Sequence, residues 1–120
     1  MAKNFEVAVL LDLYGEMLTE KQRDFLGHYY NDDLSLSEIA ENEGITRQGV
    51  RDAIKRAEAQ LFEMEEKIGL QKKLSEVQKG LEEISKLSEF IHEYNLRHSL
   101  SREINEASVK IKVIASDLLD

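Results

Sequence analysis

The chain has no cysteine and no proline, and only six glycines in 120 residues. Without cysteine there can be no disulfide and no thiolate, as nucleophile or as metal ligand, which fits a reducing compartment. With proline missing and glycine scarce, the usual residues of tight strand turns are in short supply, whereas a charged fraction of 33% supplies polar outer faces for helices. The longest unbroken apolar run, Val7 to Leu11, is far too short to span a bilayer, and the N-terminus lacks an apolar stretch of signal-peptide length. A cytoplasmic, all-α protein without membrane contact is expected. Catalytic groupings are also missing: no nucleophile stands beside a base and no glycine-rich phosphate loop is present, so neither an enzyme nor a cofactor is expected. His28, His92 and His98 are scattered, and Asp32-Asp33 lacks the glycine and closing glutamate of a calcium loop, so no metal site is expected.

What is present is a helix-turn-helix spacing between Leu36 and Arg56. Ser35 with Glu38 three residues on reads as a capping box for a first helix. Ala40 is small enough for a second helix to cross it closely, and Gly44 suits a turn that requires positive φ. Ile39, Ile45 and Val50 are placed to fill the wedge between the helices, and Thr46 to cap the second. The helix that follows should project Arg47, Gln48, Arg51, Asp52, Lys55 and Arg56 outward, where this motif presents its groove-reading side chains. The candidate nucleic-acid-binding residues are therefore Thr46, Arg47, Gln48, Arg51, Lys55 and Arg56.

Charge is unevenly distributed. The net charge is −8, and all of it falls before Lys67: 15 acidic against 7 basic residues through Glu66, then 9 of each. Phosphate neutralisation supplies most nucleic-acid affinity, so an acidic half carrying the motif is a poor electrostatic start. Locally the sign reverses, with Arg47, Arg51, Lys55 and Arg56 set against Asp52.

Periodicity divides the chain into a helix-turn-helix domain at 1–68 and a packing or dimerisation segment at 69–120. In the first, Asn4 can cap a helix running to about Met17 with Phe5, Ala8, Val9 and Leu13 at helical spacing, and Thr19 can cap a second whose Phe25, Leu26, Tyr29 and Tyr30 face the core. The motif pair follows, its second helix extending to about Lys67, with Gly69 as punctuation. Beyond it, Leu70, Leu74, Val77, Leu81 and Ile84 step by four, three, four and three, and Ile91 lies one heptad further, with Ser88 interrupting. Leu87, Phe90 and Tyr94 widen that seam. After a turn at Ser99 to Ser101, Ile104, Ala107, Ile111, Ile114 and Leu118 make a last amphipathic helix. A hairpin within the chain or a homodimer would cover the seam equally well.

Leu18-Thr19-Glu20-Lys21-Gln22-Arg23, Ser37-Glu38-Ile39-Ala40-Glu41 and Ile45-Thr46-Arg47-Gln48-Gly49-Val50-Arg51 resemble the fourth region of bacterial sigma factors, which binds the −35 promoter element. Closer still, the chain length, the Phe5 to Tyr14 helix and the run Gly44 to Asp52 resemble the YlxM-type family of small helix-turn-helix proteins. That resemblance covers roughly the first seventy residues well and the remainder mainly in helical character. It implies a sigma-region-4-like domain followed by a long helix and a C-terminal helix, and a regulatory or accessory role in the signal recognition particle pathway. From the sigma pattern the chain departs at Gly49, which weakens an early helical turn, and at Asp52, whose carboxylate repels phosphate and in a major groove can accept only from cytosine.

The leading expectation is a nucleic-acid-binding regulatory or accessory protein, with DNA or RNA as ligand, signal recognition particle components as partners and a homodimer as the unit. The alternative is an adaptor that binds a basic protein through its acidic surface and C-terminal helices.

Overall fold

The computed structural model describes residues 2–120 and contains, among them, six α-helices, one 3₁₀ turn and no strand. The helices are α1 (Phe5–Tyr14), α2 (Glu20–Tyr30), α3 (Leu36–Glu43), α4 (Arg47–Ile68), α5 (Leu70–His98) and α6 (Arg102–Leu119), with the 3₁₀ turn at Gly15–Met17. The chain forms two compact units, Met1–Gln71 and Lys72–Asp120.

Local signals set the helix ends. Asn4 accepts from the Glu6 amide at the start of α1. Thr19 with Gln22, and Ser35 with Glu38, form complete capping boxes on α2 and α3, each satisfying two amides that the first turn leaves without partners. Gly44 and Gly69 end α3 and α4 at φ +68° and +70°, a region that costs an L side chain about 1–2 kcal/mol.

In the first unit α1, α2 and α3 all pack against α4. Val50, Ile54, Ala57 and Leu61 form the buried stripe of α4, and Leu10, Leu26 and Ile39 meet it from the other three helices. Fully burying a Val, Leu or Ile side chain contributes about 1.5–3 kcal/mol, so this stripe is the main source of the unit's stability. Two faces differ from the sequence expectation. The core side of α1 is Val7, Leu10, Leu11 and Tyr14, while Phe5 and Val9 are exposed. Ile45 is 42% exposed, so the wedge is filled by Ile39, Ala40 and Val50.

Where α4 passes into α5, the buried Tyr14 hydroxyl donates to Glu65 Oε1 at 2.7 Å and accepts from the Leu70 amide at 3.1 Å. The same carboxylate oxygen accepts from the Gln71 amide at 2.9 Å. The first two amides of α5 are thereby satisfied by side chains of the first unit. Burial, followed by the carboxylate beside it, pushes the Tyr14 phenol above its ordinary pKa.

The second unit is an antiparallel hairpin of α5 and α6. Ser88 Oγ donates to the Ser108 carbonyl. At the turn, the Asn95 amide donates to the Ser101 carbonyl at 2.8 Å and its oxygen accepts from the Ser101 amide at 2.9 Å. Ser88, Asn95, Ser108 and Ala115 are the buried residues here, so the two helices meet through small and polar side chains. Ser88, which interrupts the heptad in the sequence, is one of the buried contacts between the two helices. Of the heptad seam, Leu81 is half-buried, while Leu70, Leu74, Val77, Ile84 and Ile91 are exposed.

Candidate nucleic-acid interface

Thr46 sits in extended conformation at the N-terminus of α4, and its Oγ1 accepts from the Gly49 amide at 3.0 Å. A β-carbon at Gly49 would lie 3.1 Å from that oxygen. The glycine that reads in the sequence as a weak helical turn therefore leaves room for the cap.

Behind the exposed face the helix is held by Val50, Ile54 and Ala57, each fully buried. At 100° per residue, the side of α4 opposite this stripe carries Gln48 and Asp52 at its crest. Arg47, Arg51 and Lys55 descend one flank and Arg56 lies on the other. Gln48 Nε2 donates to Asp52 Oδ1 at 3.0 Å, which orients the amide and occupies one acceptor of the carboxylate. Thr46, Arg47, Gln48, Lys55 and Arg56 are exposed and Arg51 is half-exposed, so all six candidate side chains lie on one accessible end of a rigid helix.

Much of the nearby acidic charge is already engaged. Glu43 pairs with Lys21 at 3.6 Å, and Glu38 accepts from the Ser35 amide. Tyr30 donates to Glu58 Oε1 at 2.6 Å and accepts from the Asn4 amide at 3.4 Å. Burial first and Glu58 second raise the Tyr30 phenol well above its ordinary value. Asp33 pairs with Lys3 Nζ at 2.5 Å, and that hydrogen bond holds its carboxyl below the usual range.

Lys3 is a residue the motif does not reveal. Its ammonium also lies 4.8 Å from the centre of the Tyr29 ring, and it lines, with Ser35, Glu38 and Arg47, a shallow cleft between the first turns of α3 and α4. Only its place just before a capped first helix could have hinted at this, because it is 44 residues from Arg47 in sequence. Among the described residues no cluster of three His, Asp or Glu side chains could hold a metal ion. No helix there is long and apolar enough to cross a membrane.

A short hydrogen-bonded turn between two capped helices, with a polar crest and basic flanks on the second, is the arrangement of a helix-turn-helix. Residues 1–91 match the family described as "Putative helix-turn-helix protein, YlxM / p13 like" (UPF0122). This chain belongs to the YlxM/p13-like family. Its relatives in that family include a UPF0122 protein of Acetivibrio thermocellus, 50% identical over 113 residues that cover 94% of this chain and 92% of the relative. Another, from Clostridium perfringens, is 41% identical over 106 residues, covering 88% and 93%. A third, from Desulforamulus reducens, is 47% identical over 87 residues, covering 72% and 74%. The match to the family takes in the motif and most of α5.

Proposed function

We propose that this YlxM/p13-like chain is a nucleic-acid-binding regulatory or accessory protein that acts by binding rather than catalysis. The observation that carries the reading is the exposed start of α4, where Thr46 through Arg56 combine a capped helix end, an oriented glutamine and four cationic side chains. On duplex DNA, α4 enters the major groove with Arg47, Gln48 and Arg51 near base edges and Lys55 and Arg56 on phosphates. On RNA the same side chains meet backbone or an exposed loop, because an A-form major groove does not admit a helix. The family resemblance supplies the setting, the signal recognition particle pathway in the cytoplasm with particle components as partners, and the apolar segment from Leu70 supplies a homodimer as the working unit.

Fluorescence anisotropy titrations against labelled random duplex DNA and labelled signal recognition particle RNA, each at two salt concentrations, test the reading. Salt-sensitive binding is expected, and the preferred ligand separates a regulator from a particle accessory. Absence of binding to both ligands overturns it in favour of an adaptor for a basic protein, to which the acidic surface of the first unit corresponds.

A further inference from the structure

We infer that two copies of this chain join through one side of the α5–α6 hairpin, closing it into an intermolecular four-helix bundle. The inference gives the self-association proposed above a specific surface, which keeps only Ile84 and Ile91 of the heptad seam and adds the same flank of α6.

The hairpin is built inside out. Its contact line is small and polar, and among the described buried hydrophobic residues Ala115 alone belongs to Lys72–Asp120. Its large apolar side chains are outside, and eight of them gather on one side. Taking the Ser88–Ser108 contact as zero, helical geometry places Ile84, Leu87, Ile91 and Tyr94 on one flank of α5. In the antiparallel α6, Ile104, Ile111, Ile114 and Leu118 fall on the same flank. The opposite side is mixed: Glu89 and Lys112 form an ion pair across the helices there at 3.6 Å, beside His92 and Asn105, with Leu96, Val109 and Val113 exposed among them.

These eight apolar side chains are 41% to 66% exposed. At roughly 100 Å² apiece they present about 800 Å², the area that each partner of a standard stable interface buries. Patches of this size on a small soluble protein mark an interaction surface.

Charge selects the occupant. From Lys72 onward the chain carries 8 basic and 9 acidic residues, whereas residues 1–71 carry 8 basic and 15 acidic. A strongly charged partner has little to gain from the hairpin, while a second hairpin meets no net repulsion there. Two antiparallel helices presenting one apolar side are also self-complementary about a two-fold axis, the commonest symmetry of soluble oligomers. Gly80 lies on this same flank, where an added β-carbon would meet nothing in the lone chain. A mid-helix glycine weakens an isolated helix, and here it leaves the approach of a second backbone open.

Light scattering or sedimentation of the full chain, without nucleic acid, is expected to give twice the 13.8 kDa chain mass at tens of micromolar. Leu87→Glu and Ile114→Glu each change a side chain that is half-exposed in the lone hairpin, so helical circular dichroism should persist while the dimer dissociation constant rises at least a hundredfold. Val113→Glu, on the opposite side, should change it less than threefold. A wild-type chain of monomer mass overturns the inference. So does a dimer that survives Leu87→Glu and Ile114→Glu, which would place self-association on another surface such as Leu70, Leu74 and Val77 of the heptad seam. Either result leaves the reading of α4 untouched, since nucleic-acid binding is measured separately.

Discussion

Gly49 and Gly27 are both helical, and the surroundings of their missing β-carbons predict opposite outcomes for the same substitution. At Gly27 in α2 an added β-carbon meets nothing within 4 Å, so Gly27→Ala should gain the helix-propensity term, about 0.5–1 kcal/mol. At Gly49 the β-carbon would stand 3.1 Å from Thr46 Oγ1, the oxygen that caps α4 through the Gly49 amide. Displacing that oxygen costs about 1 kcal/mol, the usual worth of a threonine cap, so the net effect of Gly49→Ala is about zero. Urea denaturation followed by circular dichroism at 222 nm reads both. The decisive experiment is the cycle with Thr46→Ala. Once the cap is gone, Gly49→Ala should stabilise like Gly27→Ala, giving a coupling energy of about 1 kcal/mol. A Gly49→Ala gain equal to that of Gly27→Ala in the Thr46 background, with no coupling, refutes the reasoning.

Other consequences follow from single contacts. Tyr30→Phe leaves the Glu58 carboxylate without its 2.6 Å donor and should cost about 1 kcal/mol at neutral pH. The Tyr30 phenol is raised in the folded state, so its contribution is full below the ordinary tyrosine value of about 10 and is lost as pH rises beyond it. Alkaline unfolding of Tyr30→Phe should accordingly depend less steeply on pH above 10 than that of the parent; equal slopes contradict the assignment. Leu100, in the turn between α5 and α6, has φ +48°. Leu100→Gly removes a left-handed strain of about 1 kcal/mol and should raise the midpoint of hairpin unfolding, whereas a lowered midpoint shows that the leucine side chain outweighs its backbone.

What could be read from the sequence was what is decided within four residues. The Ser35–Glu38 box, the Thr19 and Thr46 caps and the turns at Gly44 and Gly69 need no tertiary information, and with them came the boundaries of the helix-turn-helix. The buried side of α1 was not legible, because Phe5, Val7, Val9, Leu10 and Leu13 place apolar groups all round that helix and only the packing of α4 selects Val7, Leu10 and Leu11. The hairpin misleads for a different reason. Heptad spacing leads to leucines inside, yet α6 approaches through Ser88 and Asn95, where small side chains and the turn's hydrogen bonds permit close contact. In the candidate interface, α4 itself was legible from motif spacing. Lys3 was not, because only the fold brings the chain start beside Arg47.

The central claim is that the first turns of α4 are the nucleic-acid surface. It is tested most directly by the salt dependence of binding in the parent chain and in Arg47→Glu/Arg51→Glu. Two phosphate contacts, from Lys55 and Arg56, give a slope of log affinity against log salt of about −1.8, so raising salt from 50 to 200 mM weakens the parent roughly tenfold. With the two base-edge arginines replaced by carboxylates facing the groove, affinity at 50 mM salt should fall at least a hundredfold or binding should vanish, with helical content unchanged. A double variant that binds with the affinity and slope of the parent contradicts the account and moves the contact surface away from α4.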